Sequence, residues 1–75
     1  MKKQLDSTDL DNSKFTIYQI NGDVYHVNEW YTLRGVEQCY SYVRYDTMGI
    51  VLLHIVTKDA SHVLIPWSSI SAIIV

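Results

Sequence analysis

Cys39 and the three histidines, His26, His54 and His62, are the residues best suited to covalent or metal chemistry. A thiol becomes a nucleophile when a neighbouring base takes its proton, and three imidazoles can build a zinc site. No two of the histidines stand at ligand spacing on one element, and Cys39 reads as a small buried thiol on a packed strand. Asp23, Asp46 and Asp59 fall at turns, where an aspartate bonds its own backbone rather than serving as an acid or base. Gly22, Gly35 and Gly49 make no phosphate-cradling loop. The expectation is a non-enzymatic chain with no cofactor and no metal.

The aromatic residues carry more information. Tyr40, Tyr42 and Arg44 alternate along one run and should project from one face, with Tyr25 and Tyr31 on a neighbouring face. Tyrosines interleaved with an arginine serve as anchors in protein interfaces, or as platforms on which unpaired bases stack. They also serve as ordinary filling of a small core or subunit seam. Charge ranks the two binding uses. From residue 15 onward Arg34, Arg44 and Lys58 stand against Asp23, Glu29, Glu37, Asp46 and Asp59, a net of −2, while the charges of residues 1–14 cancel. Nucleic-acid affinity comes mostly from neutralised phosphates, so a protein partner is expected first and single-stranded RNA is the alternative. The expected partner-binding residues are Tyr25, Tyr31, Tyr40, Tyr42 and Arg44.

The elements that must position these residues are strands. Residues 1–13 read as a short polar tail and residues 14–75 as one small domain. From Phe15 the chain is rich in Tyr, Val, Ile and Thr, which favour strands. Asn21-Gly22 joins two alternating runs, Lys14–Ile20 and Asp23–Tyr31, and predicts a hairpin with a type I′ turn. Further turns are expected at Arg34-Gly35, Asp46–Gly49 and Lys58–Ser61. Ile50–Thr57 is apolar on both faces and should be the most buried strand. Pro66 ends the next strand, and Trp67-Ser68-Ser69 should form a tight, partly helical turn into Ile70–Val75. Five or six short strands at this spacing predict an all-β fold, a small and strongly bent antiparallel barrel.

Seventy-five residues bury a thin core, and one cysteine cannot staple it. The apolar run Ile73-Ile74-Val75 carries no charge or proline to block edge pairing. Assembly of copies is therefore expected, with Trp67, Ile70, Ile73, Ile74 and Val75 at the interface. A lone cysteine, no sequon and no leader-like segment point to a reducing, cytoplasmic setting. The longest apolar run, Ile50–Leu53, is far below the ~20 residues of a membrane helix, so no membrane partner is expected.

Two stretches resemble the Sm-like family and, within it, the Hfq-type RNA chaperones. Phe15-Thr-Ile-Tyr-Gln-Ile-Asn-Gly-Asp-Val-Tyr-His-Val27 is similar to that family's opening hairpin. Ile50-Val-Leu-Leu53, followed by His62–Ile65 and Ile70-Ser-Ala-Ile-Ile74, is similar to its closing strands. SH3-like barrels share much of this pattern. The resemblance implies a bent five-stranded barrel, ring assembly through the last strand, and single-stranded RNA around the pore. The chain departs from the family where the chemistry lies. Pro66, Trp67 and Ser68 stand where a Tyr-Lys-His run contacts RNA, Gly49 stands where an aromatic ring stacks on bases, and Asn28–Met48 lengthens the middle.

Overall fold

A computed structural model describes residues 13–75; the expected tail lies outside these residues except for Ser13. The fold is all-β. Seven strands form one sheet: β1 (Phe15–Gln19), β2 (Val24–Val27), β3 (Trp30–Leu33), β4 (Val36–Tyr45), β5 (Gly49–Val56), β6 (Asp59–Pro66) and β7 (Ile70–Ile74). The order is β6-β5-β4-β2-β1-β7, with β3 paired to β4 beside that path. Neighbours run antiparallel except β2 and β4, which meet in parallel at Val27 and Tyr40. The sheet does not close, so the expected five- or six-stranded barrel is corrected to an open sheet whose ends are β6 and β7. Only a three-residue 3-10 turn, Trp67–Ser69, separates those two ends in sequence, and the sheet must curl to accommodate it.

The extra strand arises at Asn28. The run expected as one strand, Asp23–Tyr31, breaks there because Asn28 adopts φ 64°, a left-handed conformation that asparagine tolerates better than most residues. Its backbone N–H donates to the Tyr40 carbonyl at 2.6 Å, and its Oδ1 accepts the Tyr42 N–H at 3.0 Å. Its Nδ2 donates to the Ser13 carbonyl at 2.8 Å. One side chain thus ties the incoming chain, the β2–β3 corner and β4 together.

The Asn21-Gly22 hairpin forms, but with a longer loop than a type I′ turn. Only Gly22 of the pair has positive φ, 96°. Gly22 N–H donates to the Gln19 carbonyl and Gln19 N–H to the Asp23 carbonyl, which leaves Ile20, Asn21 and Gly22 in the loop. Asn21 Oδ1 accepts the Asp23 N–H at 2.9 Å, and this Asx turn competes with the two-residue geometry. The turn with positive φ at both central residues is instead Arg34-Gly35, at 53° and 81°, between the paired Leu33 and Val36. The turn expected at Lys58–Ser61 falls earlier, at Thr57-Lys58, because β6 already pairs with β5 from Asp59.

Burial follows the pleat. Phe15, Ile17, Val27, Tyr42, Ile50, Leu52 and Ile65 form the core, with Tyr25, Tyr40, Tyr45, Val63, Trp67, Ile70 and Ile73 packed against it. Fully burying an aliphatic side chain of this size stabilises by roughly 1.5–3 kcal/mol. Gly49 makes the close crossing of β5 and β6 feasible. A Cβ there would overlap the Ile65 carbonyl and lie 2.8 Å from Pro66 Cα. The same clash leaves no room for an aromatic ring where the Sm-like pattern has one.

Candidate functional site: an aromatic groove between two diverging strands

β4 explains why the expected face of Tyr40, Tyr42 and Arg44 does not exist as such. The β4–β5 register slips between Tyr42 and Arg44, which pair with Leu52 and Val51 in turn. A bulge of this kind inserts one residue and re-aims every side chain beyond it. Tyr42, before the bulge, keeps the face of Tyr40 but lies in the core, only 9% exposed, and meets the Phe15 ring edge-on at 6.3 Å. Arg44 points to the opposite face beside Asp46, at 3.7 Å, with 60% of its side chain exposed. The pair is solvent-bathed and contributes little. Alternation alone could not reveal a bulge, since β-bulges carry no fixed residue signature without a glycine.

Tyr40, on the unbulged part of β4, joins Tyr25 and Tyr31. Its ring lies edge-on to Tyr25 at 4.9 Å and inclined 29° to Tyr31 at 6.3 Å. On its other side it stacks flat on His54, 4.2 Å away and 4° from parallel. His54 Nε2 and the buried Gln38 Oε1 lie 2.8 Å apart, a bond with the imidazole as donor, and this link holds the stack in place. His26 packs edge-on against Tyr31 at 4.9 Å, and its Nδ1 lies 3.4 Å from Thr16 Oγ1. Neither histidine was expected in the site. The pairing of Tyr40 with His54 across β4 and β5 is a register fact with no local sequence signal.

The groove has a topological cause. β3 and β2 both approach the same edge of β4, β3 along residues 36–39 and β2 only at Tyr40. From their common corner at Asn28 they must diverge. The cleft between them is about 480 Å3, walled by Asp23–His26 and Tyr31–Arg34 and floored by Tyr40. Burial pushes the Tyr40 hydroxyl up to about 12, with the neighbouring phenols Tyr31 and Tyr25 adding to the effect. Burial also raises Tyr31, partly offset by a hydrogen bond from the His26 backbone. Both phenols therefore stay protonated at neutral pH and offer O–H donors.

Of the residues expected at a subunit interface, Trp67 is engaged within its own chain. Its indole Nε1 donates to the Asp46 carbonyl at 2.7 Å, and its ring meets Tyr45 edge-on at 6.1 Å. Ile70 and Ile73 pack on the core. Ile74 and Val75 are 56% and 70% exposed, on or just beyond the edge strand β7. Cys39 is buried, with its Sγ 3.8 Å from Ser41 Oγ. Among the described residues no group of three His, Cys, Asp or Glu side chains is placed to hold a metal ion. No helix of the described residues is long and apolar enough to cross a membrane. Comparison with family models, curated proteins and solved structures gives no match.

Proposed function

We propose that this chain is a non-enzymatic, self-assembling β module that binds a protein partner, an adaptor or small regulator. The observation that carries the reading is the convergence of Tyr25, Tyr31 and Tyr40 in a groove open to solvent. Tyrosine suits such a role because its ring offers a large apolar face with few rotors, while its hydroxyl supplies a directional hydrogen bond. The net charge of −2 disfavours a polyanion.

Assembly rests on the two bare ends of the sheet. Among the described residues β6 and β7 each pair along one edge only, and β7 exposes Ile74. Pairing of β7 from one copy with β6 of the next is a head-to-tail contact, which closes a ring if the rotation allows and yields a bent, barrel-like wall. Native mass spectrometry tests this. A discrete oligomer that falls to monomer in Ile74→Lys, with unchanged far-ultraviolet dichroism, supports assembly; a wild-type monomer overturns it. Ile73→Asp is the cruder variant, since Ile73 also packs on the core and the protein should unfold.

A second reading, a single-stranded RNA binder of Sm-like type with an altered pore, draws on Arg34 beside the same rings. It requires affinity for oligouridylate that falls steeply with salt. No binding at low ionic strength removes it.

A further inference from the structure

β3 has a backbone edge that the fold does not use. It pairs with β4 through one side, and no strand of the described residues lies along the other. The two-residue turn Arg34-Gly35 sets which groups face outward. Leu33 and Val36 flank that turn as a hydrogen-bonded pair, so bonded pairs alternate down the hairpin. Tyr31 and Gln38 bond to each other, whereas Trp30 and Thr32 turn their N–H and C=O groups away from β4. Of that outer edge, Thr32 lines the cleft into which β2 diverges, and Trp30 lies two residues before it in sequence. A free edge and an aromatic floor thus lie side by side.

We propose that the groove takes an extended segment of a partner protein, which adds to β3 as a further strand and sets alternate side chains on Tyr25, Tyr31 and Tyr40. This rests on the protein-binding reading above and names its mode. Main-chain bonds to Trp30 and Thr32 supply affinity, and the rings select side chains at every second position. Arg34 and Asp23 both line the cleft with no ion pair among the described residues, so a guest strand with an acidic residue near Arg34 and none near Asp23 is favoured. The protonated hydroxyls of Tyr31 and Tyr40 complement guest carbonyls. A base-stacking ligand would use the rings but has no need of the β3 edge.

The probe is a displayed library of random peptides about nine residues long, a common strand length, panned on the full chain. Enriched peptides should alternate apolar residues and carry Asp or Glu, and should shift the amide resonances of Trp30 and Thr32. Thr32→Pro removes the outward donor without breaking a β3–β4 bond and should weaken binding about tenfold or more. N-methylation of alternate amides in the peptide should do the same, and this needs no altered protein. Peptides that lose affinity in Tyr40→Ala yet tolerate both N-methylation and Thr32→Pro would overturn strand addition and leave the protein-binding reading intact. No enriched peptide, or displacement of the peptides by oligouridylate at physiological salt, would overturn both.

Discussion

Two ends of one sheet face behave differently. Along β4 and β5 the same pleat carries Tyr42 and Leu52 at one end and Tyr40 and His54 two residues on. The first pair is sealed under Phe15, Ile17, Ile50 and Ile65. The second pair is half-buried and forms the floor of a groove. The difference comes from what lies opposite. Phe15 of β1 packs against Tyr42 at the first end, whereas β2 leaves β4 after a single bridge and uncovers the second. The core and the candidate site are thus one continuous surface, and binding capacity lies where the cover runs out.

The sealed end should be the more sensitive to substitution. Gly49→Ala should cost more than about 3 kcal/mol, because the new Cβ meets the backbone of Ile65 and Pro66, which cannot move as a flexible side chain would. For a domain this small that is a large share of total stability. Urea denaturation checks it, and an unchanged midpoint would mean that the β5–β6 crossing is looser than described. The paired test of the comparison is Leu52→Ala against His54→Ala. Leu52 should cost about 2–5 kcal/mol through cavity formation. His54 should cost about 1–2 kcal/mol, through the lost stack and the unsatisfied Gln38 amide. Equal losses would abolish the distinction between the two ends.

Much of the sealed end was legible in the sequence. Phe15 and Ile17 share the buried face of the expected alternating run, and the doubly apolar run at Ile50 marks the buried strand. Trp67-Ser68-Ser69 forms the predicted helical turn, with Ser69 Oγ bonding the Pro66 carbonyl at 2.9 Å. The open end was legible only in part. Tyr25, Tyr31 and Tyr40 were expected as binding residues and do meet; Tyr42 keeps the expected face but is buried there, and placing Arg44 on it assumed an unbroken period of two. The bulge at Val43 and the corner at Asn28 both break that period. Each is decided by contacts distant in sequence, Tyr42 against Leu52 and Asn28 against Tyr40, which a local pattern does not encode.

The smallest effect concerns the open end, where the phenols of Tyr25, Tyr31 and Tyr40 lie together. Tyr40 is held protonated up to about 12, chiefly by burial, while an unfolded tyrosine titrates near its ordinary value of 10. Between these values the folded state retains a proton that the unfolded state has released, so stability falls as pH rises. This contribution is fully present below pH 10 and is lost as pH climbs toward 12. Denaturation midpoints measured from pH 8 to 11.5 should decline over the alkaline part of that range. In Tyr40→Phe the decline should be shallower, since the ring and its stack on His54 remain while the hydroxyl is gone. If Tyr40→Phe declined as steeply with pH as the wild type, the alkaline loss would not come from the groove tyrosine.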